Sequence, residues 1–197
     1  MQTTGFSGVK LGSCRNGVDG EIQRAVGEVF GGKVMSDHCQ MGEKRGILMK
    51  RVAIGSDHAG YEMKVFLLHE LARRGFEVTD LGTDSAKPTD YPPFCISVGE
   101  VVARGDADWG IVLGGSGQGE QMAANKVRGV RAALCNDPYY ARLARSDNDA
   151  NVIAIGARVV APQFAMEILD VWIGTSFEGG RHKRRIDLIA EYERSSR

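Results

Sequence analysis

The chain has 197 residues, 43% of them hydrophobic and 25% charged, with Lys plus Arg equal to Asp plus Glu at 25 each. That length suits one well-buried domain with an extra segment, and the balanced charge provides no global field to recruit nucleic acid or an anionic membrane. No apolar run approaches the roughly 20 residues of a membrane helix, and the N-terminus lacks a secretory layout, so a soluble cytoplasmic protein is expected.

Residues 1–48 mix Gly, Ser and scattered charge, with one weakly helical stretch, Asp19 to Phe30, and no convincing strand. They read as an N-terminal extension, poorly structured or non-native; an expression scar, an upstream start and a genuine packed extension are the open alternatives. At Met49 the character changes. Met49-Lys50-Arg51 leads into Val52-Ala53-Ile54-Gly55, which has the form of an N-terminal strand, so 49–197 is read as the functional domain. From there, short β-branched or apolar runs alternate with segments of helical period, the pattern of a parallel sheet covered on both faces. Strands are predicted at Arg51 to Gly55, Glu77 to Asp80, Trp109 to Leu113, Arg131 to Cys135 and Val152 to Ile155. The first helix carries Met63, Phe66, Leu67 and Leu71 in one stripe and stops near Gly75. The last two helices are predicted at Pro162 to Ile173 and Arg184 to Arg194. The expected fold is α/β, a doubly wound sheet of about five parallel strands, whose ligands sit beyond the strands' carboxyl ends at the switch in strand order.

Cys14, Cys39, Cys95 and Cys135 have neither zinc-site nor disulfide-framework spacing. Cys95 and Cys135 lie in apolar runs, as small buried hydrophobes do.

The predicted third strand ends in Gly114-Gly115-Ser116-Gly117-Gln118-Gly119-Glu120 and runs straight into a helical segment. Glycine-exposed amides at a helix start favour a phosphate or a developing oxyanion, although neither the P-loop nor the dinucleotide fingerprint fits. Glu120, in that first turn, is a candidate base; a plain helix-start acid is its alternative reading. Asp57 and His58 end the first strand and could hold hydroxyls or phosphate, while Asp also commonly caps helices. Tyr91 precedes two prolines and either lines a pocket or simply packs. Gly180-Arg181-His182-Lys183-Arg184-Arg185, together with Arg158, offers forks for phosphate, or else forms a solvated basic turn.

Taken together, Gly55 to Gly60, Asp90-Tyr91-Pro92, Gly114 to Lys126, Asn148 to Asn151, Gly156-Ala157-Arg158 and Gly180 to Arg185 resemble the ribose-5-phosphate isomerase B and galactose-6-phosphate isomerase family, from about Met49 onward. The resemblance implies a Rossmann-like three-layer fold and a homodimer, with tetramers left open, whose two active sites each draw on both subunits. It also implies aldose–ketose isomerisation through a cis-enediolate, with neither metal nor organic cofactor. Many members carry a cysteine base where Gly114 stands; this chain resembles the actinobacterial-type branch that uses the glutamate, here Glu120. By the same resemblance Asp57 and His58 contact substrate and phosphate, and Tyr91 lines the pocket. Gly115, Ser116, Gly117 and Gly119 form the anion hole, with Ser116 a candidate proton shuttle. Asn148 contacts a hydroxyl from the neighbouring subunit, and Arg158, Arg181 and Arg185 bind phosphate. Asp147 occupies the position of the usual ring-opening histidine, so ring opening falls to Asp147 or His182 unless the substrate is acyclic. Ribose 5-phosphate is the default substrate; a tetrose or tetrulose phosphate, a hexose 6-phosphate, and a non-catalytic sugar-phosphate binding protein are the alternatives.

Overall fold

The computed structural model describes residues 50–195. The extension 1–48 with its weak helix, Met49, Cys14 and Cys39 lie outside the described residues. Five strands, β1 (Arg51–Ser56), β2 (Glu77–Asp80), β3 (Trp109–Gly114), β4 (Ala132–Leu134) and β5 (Val152–Gly156), alternate with α1 (Tyr61–Arg73), α2 (Pro92–Ala103), α3 (Gln118–Ala124), α4 (Pro138–Ser146) and α5 (Pro162–Gly174), and α6 (Arg181–Ser195) follows. The sheet order is β2-β1-β3-β5-β4, and every neighbouring pair is parallel. The chain reverses its direction of travel across the sheet between β1 and β3, which is where such folds bind ligands.

Period-two alternation gives the sheet two unlike faces. Val52, Ile54, Ile111, Leu113, Ile153 and Ile155 pack with residues of α1, α4 and α5. On the other face the strands offer Ala53, Val112, Val152 and Ala154 to α2 and α3. That second face is thin because its helices press close: a Cβ added at Gly55 or Gly110 would come within 2.8 or 2.7 Å of Val98 on α2. Gly114 continues the same face at the end of β3, beneath α3.

Local signals set the element ends. Asp57 Oδ1 accepts from the Ala59 and Gly60 N–H groups before α1 (2.9 and 3.1 Å), and Asp137 Oδ1 caps α4 through Tyr139 and Tyr140. Proline opens α2, α4 and α5. Gly75, at φ +84°, ends the turn after α1. Several ends differ from the sequence reading by one residue, with β1, β3 and β5 each running one residue further, and two departures have a visible cause. β4 is confined to Ala132–Leu134, because the Arg131 N–H is taken by the Asn151 side chain. α6 starts at Arg181 rather than Arg184, immediately after Gly179 and Gly180, both at positive φ. Cys95 and Cys135 are fully buried, and burial pushes both thiols up to about 12, which leaves them unreactive. Among the described residues no helix is long and apolar enough to cross a membrane.

Candidate active site

Glu120 sits in the first turn of α3 and is only 4% exposed. Its side chain lies directly over Gly114: a Cβ there would fall 1.7 Å from Glu120 Oε1. Its other oxygen, Oε2, is buried with no hydrogen-bond partner. Burial is the largest cause of a raised Glu120 pKa, with repulsion from Asp57 adding to it; the backbone N–H groups of Glu120 itself and Gly117 pull the other way. A carboxylate held in a dry slot with one oxygen free is poised to accept a proton.

The turn that carries Glu120 depends on its glycines. Gly117 has φ +80°, and a Cβ at Gly156 would meet the Ser116 backbone at 2.6 Å. Gly156 is tied down by its N–H donating to Asn136 Oδ1 at 3.1 Å. Ser116 Oγ accepts from the Gln118 N–H at 3.3 Å. Tyr91, immediately before α2, packs its ring on Gly119, where a Cβ would lie 2.6 Å from Tyr91 Cζ. Arg158 donates its N–H to the Gly115 carbonyl at 3.0 Å and lays its guanidinium along Gly115. His58 rests its Nδ1 against the Thr89 backbone (3.1 and 3.2 Å), 4.0 Å from Asp57 Oδ2. Asp57 shapes the turn ahead of α1 without capping the helix itself, whose N-cap is Gly60, and it stands near enough to Glu120 to repel its carboxylate. Asp57, His58, Tyr91, the Gly115-Ser116-Gly117-Gly119 turn, Glu120 and Arg158 share the carboxyl edge of β1, β3 and β5.

The remaining predicted residues lie elsewhere in the chain. Asp147 and Asn148 follow α4 and precede β5, whose first residue pairs with the first residues of β4 and with Gly110 near the start of β3, whereas its last pairs with Gly114. The length of the strand, about 13 Å, therefore separates them from the Glu120 turn. Arg131 donates to the Asn148 carbonyl and pairs with Asp149 at 3.0 Å, which also takes Arg145 at 2.8 Å. Asp149 holds φ +42°, unusual outside glycine. His182 on α6 is buried; its Nε2 accepts from Arg181 Nε at 3.2 Å and its Nδ1 faces Asp147 Oδ2 at 3.9 Å. Ser146 Oγ donates to Asp147 Oδ1 at 2.7 Å. Among the described residues Asp147, Glu178 and His182 form a cluster with metal-ligand donors lying within 4.8 Å of one another. Arg185 lies one turn beyond Arg181 on the same helix. A single chain thus carries two separate groups, one around Glu120 and one around Asp147 and His182. Near the second, α3, β4 and α6 enclose a groove of about 500 Å³ lined in part by Gln121, Leu134, Asn148, Ile186 and Ile189.

A family described as Ribose/Galactose Isomerase matches residues 52–189. The chain belongs to that family. Ribose-5-phosphate isomerase B of Escherichia coli is 46% identical over 145 residues, covering 74% of this chain and 97% of the relative. Among solved structures, ribose-5-phosphate isomerase B of Clostridium thermocellum superposes with a TM-score of 0.73 at 46% identity, covering 74% of this chain and 98% of that one. The Mycoplasma genitalium enzyme, solved with bound ribulose-5-phosphate, gives 0.72 at 40% identity over 74% and 97%. The sheet of five parallel strands between helical layers is the fold of these isomerases.

Several residues beside these two groups escaped the sequence reading. The Cys95 thiol, raised chiefly by burial, is near enough to Glu120 and Asp57 for their charges to raise it further. Ser56 Oγ, at the end of β1, is buried without a partner. Glu178 joins Asp147 and His182. Of these, only Ser56 left a sequence trace, as the polar residue ending an apolar strand.

Proposed function

We propose that this chain interconverts ribose 5-phosphate and ribulose 5-phosphate through a cis-enediolate, with Glu120 as the base. The reading is carried by the buried Glu120 carboxylate, with one unsatisfied oxygen, over a glycine turn in a chain related to ribose-5-phosphate isomerase B enzymes. Glu120 removes the proton from the carbon next to the carbonyl and returns it to the neighbouring carbon. In this reading the oxygen on which charge builds is held by backbone N–H groups of Gly115, Ser116, Gly117 and Gly119, with the Gly117 N–H shared with the Glu120 carboxylate, and that interaction strengthens as the transition state forms. Ser116 or Asp57 shuttles the hydroxyl proton. His58, Tyr91 and Arg158 line the same edge.

Asn148, Arg181 and Arg185 complete the site when a second copy of the chain supplies them, which gives a homodimer with two composite sites. Their separation from Glu120 within one chain supports this arrangement, as does the groove beside them on the short edge strand β4. The arginines fix the phosphate by bidentate contacts. Asp147 and His182 are then the pair available at the sugar ring. A cytoplasmic location goes with this reading.

The direct test is Glu120→Gln, which keeps shape and removes the base. Turnover of ribose 5-phosphate is expected to fall by roughly 100- to 10,000-fold with substrate affinity retained. A variant keeping half its rate removes Glu120 from the mechanism. Erythrose 4-phosphate, which cannot close a furanose ring, separates the substrate readings. A strong preference for it over ribose 5-phosphate would make the acyclic sugar phosphate the natural substrate.

A further inference from the structure

We propose that Gly114 is a positioning residue for the reaction: the space its missing side chain leaves is the slot that the Glu120 carboxylate fills, so residue 114 decides whether the base can sit in its cradle. The inference rests on the reading of Glu120 as the base and specifies what keeps it there.

A Cβ built at Gly114 lies 1.7 Å from Glu120 Oε1, 2.3 Å from Cδ and 2.8 Å from Cγ, and these are its three nearest atoms. All belong to the far end of one flexible side chain, and none to the backbone. The neighbouring glycines answer to different neighbours. A Cβ at Gly156 would strike the Ser116 backbone, one at Gly119 the Tyr91 ring, and Gly117 is required by its positive φ. Gly114 is absent from the positive-φ glycines, so alanine fits its backbone without strain. A methyl group there is therefore accommodated by eviction of Glu120, and the sheet has no need to move.

Two consequences separate this role from ordinary packing. First, the evicted carboxylate leaves the dry slot for the open edge, and the burial that raises its pKa is lost. Second, the substrate contacts of Asp57, His58 and Arg158 do not pass through residue 114, so binding survives while the proton-transfer step fails.

The experiment compares full-length wild type with Gly114→Ala, Glu120→Gln, Glu120→Ala and the Gly114→Ala/Glu120→Ala double variant, reading kcat, KM, the pH dependence of kcat/KM and thermal unfolding. Gly114→Ala is expected to fold and melt close to wild type, to lose about 100-fold or more in kcat with a much smaller change in KM, and to show the acid limb of its residual activity at lower pH. Once Glu120 is alanine, adding Gly114→Ala should change the remaining activity by no more than about twofold, because the two residues act as one unit. The proposal is overturned if Gly114→Ala works within about threefold of wild type while Glu120→Gln is inactive, or if it slows the enzyme equally with and without Glu120. A large drop in melting temperature would also overturn it, since backbone rather than side chain would then have moved. If Glu120→Gln itself remains active, the base assignment fails and takes this inference with it.

Discussion

Burial raises the pKa of the Glu120 carboxyl, and the sign of that shift links rate to stability. In its proposed role as base Glu120 works only when ionised, so kcat/KM is expected to rise with pH through an acid limb lying above the ordinary glutamate value of 4.5. For folding the linkage runs the other way. A carboxyl whose folded pKa is raised contributes its stability below the unfolded pKa and loses it as pH climbs through the folded value. Glu120→Gln is accordingly expected to melt higher than wild type near neutral pH, with the gap closing below about pH 4.5; thermal unfolding across that range checks it. An equal gap at both ends would mean that the charge is not what costs stability. Much of this residue was legible from Gly114 to Glu120 read as one segment. The slot was not, because the segment does not say that residues six apart stack upon each other.

At the level of elements, the alternation that located all five strands also explains where boundaries slipped. The fourth strand was begun one residue too early, at Arg131, whose N–H is intercepted by the Asn151 side chain. Position Arg181 looked like loop because Gly179-Gly180 and the following cations hide a helix start. The thin sheet face makes a packing prediction. Gly110→Ala would drive a methyl into Val98 and Val152, at 2.7 and 3.0 Å, and is expected to cost about 1–3 kcal/mol by overpacking, read from the denaturant midpoint. Pairing it with Val98→Ala should recover part of that loss. The Asp147, Glu178 and His182 cluster is tested as directly: exhaustive chelation is expected to leave turnover unchanged, because the proposed chemistry uses only a carboxylate and backbone amides.

For the whole molecule, the decisive fact is that one chain keeps the Glu120 group and the Asp147, Arg181 and His182 group at opposite edges of its sheet. The order of the strands was readable from the alternation only as a class of fold; the proposal that the site divides between two subunits came only from family resemblance, since spacing along a chain carries no record of a partner. Mixed assemblies test it. Glu120→Gln and Arg181→Ala are each expected to be inactive, yet co-refolded together they should recover about a quarter of wild-type activity, because half the dimers are mixed and each carries one intact site. No recovery would confine each site to its own chain.

Both tryptophans of the chain, Trp109 and Trp172, stand edge to face at 5.6 Å, with Arg145 over each ring at 5.9 and 5.4 Å. That arginine also grips Asp149, beside Asn148. All indole fluorescence therefore originates in one spot, tethered to the segment a second copy would meet. If the proposed dimer forms there, emission wavelength and quenching offer an unlabelled optical readout of its assembly, at a place set apart from the Glu120 turn.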